Sequence, residues 1–327
     1  MRRVALEEAF WFDGLTTAGS FTGAGRVTPY RPEAVEGYTR KLTDFTEYRL
    51  PEMDEHGIDV QVLSLTSPGV QMQPDAGIAV DDARRANDFL AETIARHPTR
   101  FAGLAALPLQ DPERAAAELR RAVTSLGLHG ALVNDHTLGH YLDEEPYDVV
   151  WAELEALGVP LYLHPNAVPV DRWRVLEGHP ELEGASFSWA AATGGHAMRL
   201  VYAGVFDRFP GVTVILGHNG EFLPYQLTRF DSRHRQLALS RPLARTPSQY
   251  LRDNFMITTS GVYSHAALVA AVQAMGVDNV MFAIDYPYES TAEAAAFLDG
   301  APFAPDDLAR IAHGNADRVL RLSPAPH

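Results

Sequence analysis

Four side chains that can bind a metal ion or carry a proton stand directly after short apolar runs of the chain: Glu7, His164, His218 and Asp285. The carboxylates of Glu7 and Asp285, together with the imidazole of His164, form a ligand set that suits Zn²⁺, Mn²⁺ or another divalent first-row ion. Each residue alone also has an ordinary structural explanation, as a surface carboxylate, a loop histidine or a helix cap. Their shared position at the ends of apolar runs is what predicts a metal site.

A second pair of residues suggests proton transfer. His218 begins the sequence His-Asn-Gly-Glu, so that Glu221 follows one helical turn later. A carboxylate at this spacing can orient an imidazole and stabilise its charged form. The same spacing is also typical of a helix N-terminus, where Glu221 would favour the helix dipole. The two interpretations are compatible.

Arginines and aromatic residues are candidates for substrate binding. Arg49 and Arg229 could each bind a carboxylate through two hydrogen bonds. Several aromatic residues could line a pocket, although such residues more often belong to the core. They are Trp11, Phe12, Phe187, Trp189 and Tyr286.

The elements that must position these side chains follow a repeating pattern. Apolar and β-branched runs that read as strands alternate with segments of helical periodicity. The predicted strands cover residues 4–6, 60–65, 101–107, 130–134, 160–163, 212–217, 254–260 and 280–284. Eight strand–helix units are the pattern of an α/β fold of the (β/α)8 TIM-barrel class, which carries its chemistry at the C-terminal ends of the strands.

The segments between the predicted strands define the rest of the organisation. Helical periodicity covers residues 83–97, 112–126, 147–157, 196–209, 265–275 and 305–312. Two longer segments, residues 11–48 and 165–189, follow the first and fifth strands, and we expect these insertions to cover the site or to contact another subunit. No linker or longer repeat interrupts residues 1–327, which predicts a single domain.

Composition excludes several classes of function. The formal charge of −15 and the pI near 5.3 argue against nucleic-acid binding. No apolar run reaches the length of a membrane span, and the absence of cysteine excludes thiolate metal sites and fits a cytoplasmic enzyme. Lys41 is the only lysine and lies far from any strand end, which argues against Schiff-base and pyridoxal-phosphate chemistry.

Eight short motifs, in order along nearly the whole chain, resemble the decarboxylase branch of the amidohydrolase superfamily. The similarity is closest to the 2,3-dihydroxybenzoate and γ-resorcylate (2,6-dihydroxybenzoate) decarboxylases, and the aminocarboxymuconate-semialdehyde decarboxylases are also related. The motifs are ALEEAF at 5–10, MDEHGI at 53–58, GALVN at 130–134, YLHP at 162–165, HAMRL at 196–200, LGHNGE at 216–221, ITTSG at 257–261 and IDYP at 284–287.

The resemblance implies a role for each candidate residue. Glu7, His164 and Asp285 would bind one divalent metal ion, either Zn²⁺ or Mn²⁺, with Mg²⁺ as a further option. His218 and Glu221 would be a catalytic pair, and Asp285 would also act in catalysis. Arg229 matches a position from which some relatives bring an arginine into a neighbouring subunit, which implies a homodimer or homotetramer. Arg49 matches a carboxylate-binding arginine of the semialdehyde decarboxylases.

Two positions depart from the family pattern. Many members carry a metal-binding histidine where this chain has Ala9, and the γ-resorcylate type carries a glutamate where it has Ala192. The first departure leaves fewer protein ligands for the metal. The second implies that recognition of the substrate hydroxyl groups differs.

The expected function is metal-dependent, non-oxidative decarboxylation of an ortho-hydroxylated benzoate to the phenol and CO₂. A small aromatic carboxylic acid would be the substrate, bound with the help of Trp189 and Phe187. Two alternatives stay open: a mononuclear metal-dependent hydrolase of the lactonase or amidase type, and a non-catalytic protein that keeps the fold.

Overall fold

A computed structural model describes residues 1–16, 30–167, 173–239 and 241–322. Its strands run parallel and pair with their neighbours in sequence order. They are β1 (Val4–Phe10), β2 (Val60–Leu65), β3 (Phe101–Gly103), β4 (Ala105–Ala106), β5 (Ala131–Asn134), β6 (Leu161–His164), β7 (Val214–Leu216), β8 (Phe255–Thr258) and β9 (Val280–Met281).

Two details turn these strands into a closed barrel of eight. Leu104 separates β3 from β4 and donates its N–H to the carbonyl of Leu63, so β3 and β4 are two parts of one barrel strand. Leu6 of β1 forms a parallel bridge with Ala283, just beyond β9, which joins the last strand to the first. The predicted (β/α)8 barrel is confirmed.

The strands are buried on both faces, as their continuous apolar runs predict. Side chains pointing into the barrel include Val4, Leu6, Val62, Leu132, Tyr162, Ile215, Met256 and Met281. The opposite strand faces pack on the surrounding helices in a larger core. The barrel interior is therefore filled, and the site can only lie at its mouth.

The helices surround the barrel. They are α1 (Pro32–Leu42), α2 (Arg49–Glu55), α3 (Ala76–Arg96), α4 (Pro112–Leu126), α5 (Asp148–Leu157), α6 (Ser188–Tyr202), α7 (Val205–Arg208), α8 (His218–Glu221), α9 (Leu227–His234), α10 (Pro247–Asn254), α11 (His265–Met275), α12 (Thr291–Asp299), α13 (Pro305–Ala309) and α14 (Asn315–Val319), with a π-helical turn at Arg310–Gly314.

Capping residues explain where the helices differ from the predicted ranges. The helix predicted from residue 83 begins at Ala76, because the Asp75 carboxylate accepts the Ile78 N–H at 2.9 Å and caps it there. The helix predicted over residues 196–209 is two helices, α6 and α7, because Gly204 adopts a left-handed conformation with φ of 67° between them.

Both predicted insertions lie at the C-terminal side of the barrel strands. The described part of the first contains α1, and the described part of the second contains three short 3₁₀ turns, Arg174–Leu176, Pro180–Leu182 and Gly184–Ser186. Residues 17–29 and 168–172 of these insertions lie outside the described residues. None of the described helices combines the length and the apolarity that crossing a bilayer requires.

Candidate active site

The mouth of the barrel brings the candidate metal and proton ligands together: Glu7 lies within β1, His164 ends β6, and His218 and Asp285 follow β7 and β9. The Glu7 Oε1 atom lies 3.3 Å from Nε2 of His218 and 3.5 Å from Nε2 of His164. Nε2 of His218 lies 3.7 Å from Oδ2 of Asp285. Ligand atoms of Glu7, His218 and Asp285 all lie within 4.8 Å of one another. His164 lies beside this group, and Glu7 is the member that its Nε2 atom faces.

Three hydroxyl groups and one glycine fix the orientation of Glu7. Its Oε2 atom accepts hydrogen bonds from Tyr162, Ser260 and Thr258, the last at 3.3 Å. A Cβ atom at Gly217 would lie 2.7 Å from the same oxygen, so no larger residue fits there. The other oxygen, Oε1, is buried without a hydrogen-bond partner among the described residues. It therefore faces the space between the two histidines.

The charge of Glu7 is set by competing effects. Burial raises the pKa of this carboxyl, but the neighbouring His218 and His164 and the hydroxyls of Ser260 and Tyr162 outweigh burial and leave the pKa below its ordinary value. Glu7 is therefore a carboxylate at neutral pH.

His164 is neutral and has a defined tautomer. Burial lowers the pKa of its imidazole to about 4. Nδ1 lies 2.8 Å from both Oδ1 of Asn134 and the carbonyl of Pro165, two acceptors that assign the proton to Nδ1. The lone pair of Nε2 then points toward Glu7. Two electron-rich atoms facing each other at 3.5 Å create a position for a cation.

His218 is instead surrounded by carboxylates. Its Nδ1 lies 2.6 Å from Oε1 of Glu221, and its Nε2 faces Glu7 and Asp285. Although burial lowers the pKa of His218, the charges of Glu221 and Glu7 raise it well above its ordinary value. Burial raises the pKa of Glu221 as well. The pair is therefore a site where a proton is easily held.

Asp285 has the properties of a carboxyl group that titrates near neutrality. Burial raises its pKa, His218 lowers it and the charge of Glu7 raises it again, which places the pKa at about 7. A carboxyl with this pKa can exist in both protonation states under physiological conditions.

Strained backbone is concentrated at the same residues. The φ angles of Glu7 (66°), His218 (50°), Glu221 (52°) and Asp285 (75°) are all in the left-handed region, which residues with a side chain rarely occupy. The pairing register of β1 with β2 shifts between Ala5 and Glu8, where Glu7 lies. Such strain persists only where the surrounding structure enforces it and is common at functional sites.

Arg49 does not reach the site opening. Its side chain is fully buried, and it donates hydrogen bonds to the carbonyls of Ala9 (2.6 Å) and Asp44 (3.2 Å) and to Oε1 of Gln61 (3.0 Å). This arrangement argues against the expectation that Arg49 binds a substrate carboxylate, because its donors are committed to neighbouring strands and loops.

The remaining predicted substrate-binding residues lie in different places. Trp189 approaches the site, with its ring centroid 6.5 Å from that of His164. Phe187 is 37% exposed, and Arg229 on α9 is exposed and forms no ion pair with any residue that the structure describes. Tyr286 is fully buried beneath the Arg49 guanidinium, so it belongs to the core and not to a pocket wall.

The residues present fit a divalent cation. Carboxylate oxygens and neutral imidazole nitrogens are the ligands that Zn²⁺ and Mn²⁺ accept, and a buried carboxylate oxygen without a hydrogen-bond partner is available for one. The Glu7 carboxylate, whose pKa lies below its ordinary value, supplies negative charge that favours cation binding.

Comparison with known proteins identifies the family. The amidohydrolase family model matches residues 38–322. The chain belongs to the amidohydrolase family. It is 42% identical over 294 residues to a γ-resorcylate decarboxylase of a Rhizobium species, covering 87% of this chain and 90% of the relative.

Solved structures of family members agree with this similarity. A dihydroxybenzoic acid decarboxylase from a Polaromonas species, with bound manganese and the inhibitor 2-nitroresorcinol, superimposes with a TM-score of 0.92 at 38% identity, covering 99% of this chain and 98% of that one. A 5-carboxyvanillate decarboxylase from Sphingomonas paucimobilis gives a TM-score of 0.91 at 39% identity, covering 98% and 99%. The predicted resemblance to the decarboxylase branch is confirmed.

Several residues that shape the site were not predicted from the sequence. Tyr162 and Ser260 bind Glu7, Gly217 gives it room and Asn134 orients His164. A signal existed for Tyr162, because it precedes His164 by two residues and side chains at this spacing lie on the same strand face. Glu8 was also missed, and its pKa is raised well above the ordinary value by burial.

Proposed function

We propose that this protein catalyses the metal-dependent, non-oxidative decarboxylation of an ortho-hydroxylated benzoate of the dihydroxybenzoate type, which yields the phenol and CO₂. The observation that carries the proposal is the convergence of Glu7, His164, His218 and Asp285 at one barrel mouth, with a carboxyl group that titrates near neutrality. The relatives named above, which are decarboxylases of aromatic acids, support the same reaction.

We assign Glu7, His164 and Asp285 as the ligands of one divalent ion. When bound, the ion supplies Lewis acidity and a template for the carboxylate and ortho oxygen of the substrate. Mn²⁺ is favoured by the manganese bound in the Polaromonas relative, and Zn²⁺ and Mg²⁺ are the other candidates. We keep His218 as the proton carrier and not as a ligand, because the charges of Glu221 and Glu7 favour its protonated form.

Asp285 is assigned as the acid that protonates the ring carbon bearing the carboxylate. Protonation first gives a dearomatised, ketone-like ring, and the electrons of the C–C bond return to that ring as CO₂ leaves. This order avoids a ring carbanion. Because a neighbouring cation favours the charged form of Asp285, the proton reaches it from the bound substrate or from His218, whose Nε2 lies 3.7 Å away.

His218 and Glu221 form the proton relay. The 2.6 Å hydrogen bond to Glu221 holds the imidazole in place and offsets its positive charge when it is protonated. A proton on Nε2 faces Asp285, so His218 can restore the acid form of Asp285 after each turnover.

Trp189 and Phe187 would contact the aromatic ring of the substrate. Trp189 already lies against His164, whereas the partly exposed Phe187 would be covered when the substrate binds. Arg229 is exposed in the single chain, which supports a homodimer or homotetramer in which it reaches the substrate carboxylate of a neighbouring copy.

A panel of acids tests the proposal. Metal-free protein reconstituted with Mn²⁺ is incubated with 2,6-dihydroxybenzoate, 2,3-dihydroxybenzoate and 5-carboxyvanillate, and CO₂ and the phenol are both measured. We expect CO₂ and phenol in equal amounts from at least one acid. The Asp285→Asn variant should bind Mn²⁺ more weakly and release no CO₂.

Two results would contradict the proposal. Hydrolysis of a lactone or amide by the Mn²⁺-loaded protein, without CO₂ release from any acid, would favour the hydrolase alternative. Retained decarboxylation by the Asp285→Asn variant would refute the assignment of Asp285 as the proton donor.

A further inference from the structure

The barrel closes through an interrupted seam between β1 and the segment after β9. On one side of the interruption, the Leu6 N–H donates to the carbonyl of Phe282 at 3.2 Å. On the other side, the Ala9 N–H donates to the carbonyl of Tyr286 at 2.7 Å. The regular ladder is broken between these two bonds, and the two residues with left-handed backbone at the break are Glu7 and Asp285. Both assigned carboxylate ligands therefore lie where the main chain provides the least support.

The side chain of Glu8 bridges this break. It is fully buried, and its Oε1 atom accepts the N–H of Ile284, the residue before Asp285, at 3.0 Å. A side-chain carboxylate thus stands where a regular parallel ladder would place a main-chain carbonyl. Because Glu8 directly follows Glu7, this single bond connects the neighbours of both assigned ligands.

The side chain of Arg49 supports the same seam from behind. Its Nη2 atom donates to the carbonyl of Ala9, two residues after Glu7, and its guanidinium carbon lies 4.3 Å from the ring centroid of Tyr286, the residue after Asp285. A further bond to Gln61 connects it to β2. The planar guanidinium satisfies these separated contacts at once, which a lysine ammonium could not do.

We propose that Glu8 and Arg49 are positioning residues that fix the separation of Glu7 and Asp285, and thereby set the affinity of the site for its divalent cation. Both side chains are fully buried. The inference rests on the proposed function, because it concerns the metal site assigned there, and it gives the buried Arg49 a role in place of carboxylate binding.

The experiment measures Mn²⁺ affinity by isothermal titration calorimetry and thermal unfolding on the full chain. Glu8→Ala removes the acceptor for Ile284, whereas Glu8→Gln keeps an oxygen acceptor on a side chain of the same length. Arg49→Met removes all donors, and Arg49→Lys keeps the charge without the planar geometry. Leu119→Ala, in the core of α4 far from the seam, controls for lost stability alone.

We expect Glu8→Ala and Arg49→Met to weaken Mn²⁺ binding by about tenfold or more, the range seen when groups that orient metal ligands are removed. Glu8→Gln should bind within about threefold of the wild type and Arg49→Lys should be intermediate, while Leu119→Ala should bind normally at a comparable loss of melting temperature. Wild-type affinity in both Glu8→Ala and Arg49→Met would overturn the proposal.

A crystal structure of the Glu8→Ala variant gives a second readout that does not depend on metal binding. We expect the carboxylate of Glu7 or of Asp285 to move from its position relative to His218, and unchanged positions of both would overturn the proposal. If the wild-type protein binds no divalent ion, the proposed function is refuted. The crystal structure of Glu8→Ala still decides, in that case, whether Glu8 positions the two carboxylates.

Discussion

Two buried histidine–carboxylate pairs lie close together in this protein, and only one is open to chemistry. His218 pairs with Glu221 at 2.6 Å, and His196 pairs with Asp135 at 2.7 Å. The second nitrogen of His218 faces Glu7 and Asp285 across the barrel mouth. The second nitrogen of His196 accepts the main-chain N–H of Leu142 at 3.0 Å, and its side chain is completely buried.

The two pairs differ in the groups that contact the second ring nitrogen of the histidine, and not in the hydrogen bond between histidine and carboxylate. His196 has a partner on each ring nitrogen, which fixes the orientation of the ring and ties α6 to the loop after β5. His218 has one ring nitrogen fixed by a carboxylate and the other facing acidic groups, so a proton can be gained and lost there. A histidine–carboxylate pair is therefore functional only where one nitrogen is left for a ligand or a proton.

Removing each histidine should separate the two roles most clearly. His218→Asn should lower kcat by about 10²–10⁴-fold, the range for loss of a general acid–base group. Steady-state kinetics and thermal unfolding of the Mn²⁺-loaded protein check this. A kcat within tenfold of the wild type would remove His218 from the mechanism.

His196→Asn should have the opposite effect. It leaves the buried Asp135 carboxylate and the Leu142 N–H without their partner, which should lower the free energy of unfolding by roughly 2–5 kcal/mol. Among the molecules that remain folded, kcat should stay within about threefold of the wild type, since no reacting group is lost. Urea unfolding and kinetics on the same preparation test both halves, and a large loss of kcat in a stable variant would contradict the comparison.

The affinity of the open site for Mn²⁺ should depend on pH. Because the pKa of Asp285 is raised to about 7, this ligand is protonated below that pH and must lose its proton to bind the ion. The affinity should therefore rise by up to about tenfold per pH unit as the pH increases toward 7, and then level off. Calorimetry in buffers of different ionisation enthalpy measures the released protons, and Asp285→Asn should flatten the profile.

The same pKa shift predicts a pH dependence of stability in the metal-free protein. The folded state binds the Asp285 proton more tightly than the unfolded chain, whose aspartate has a pKa near 3.8. The contribution of Asp285 to the free energy of unfolding is thus fully present below pH 3.8 and is lost as the pH rises toward 7. Unfolding free energies of the wild type and of Asp285→Asn, measured across this pH range, check the sign. A free energy of unfolding of the wild type that rises relative to Asp285→Asn between pH 3.8 and 7 would contradict it.

Two glycines, one beside each pair, should give the smallest effects. A Cβ at Gly217 would lie 2.7 Å from the Glu7 carboxylate, so Gly217→Ala should weaken Mn²⁺ binding by about tenfold. A Cβ at Gly195, next to His196 in α6, meets no atom of the described residues within 4 Å, so Gly195→Ala should raise stability by about 0.5–1 kcal/mol and leave binding unchanged. Equal effects of both substitutions on Mn²⁺ affinity would contradict the difference proposed between the two histidine–carboxylate pairs.

The sequence predicts the fold and the convergence of the candidate ligands for a physical reason. Parallel strands in a barrel share one mouth, so residues that follow apolar runs, such as Glu7 and Asp285, converge whatever their separation in the chain. The buried position of Arg49 could not be predicted, because its partners are mainly main-chain carbonyls, such as that of Ala9, which no sequence pattern encodes. The single helix predicted around His196 failed because Gly204 was not recognised as a break.

The sequence also could not predict that the His196–Asp135 pair has no free ring nitrogen. The motif that contains His196 resembles the family as clearly as the motif that contains His218, yet nothing in the residue types shows that the Leu142 N–H occupies its second nitrogen. That contact depends on how the loop after β5 packs on α6. Long-range packing of this kind decides which of two similar pairs stays open.

The most direct test of the account is anomalous diffraction at the manganese absorption edge from crystals grown with Mn²⁺. We predict one strong peak at the barrel mouth, within bonding distance of Glu7 Oε1, His164 Nε2 and a carboxylate oxygen of Asp285, with His218 still paired to Glu221 and not bound to the ion. A manganese ion bound by His218 in place of His164, or the absence of an anomalous peak among these residues, would contradict the account.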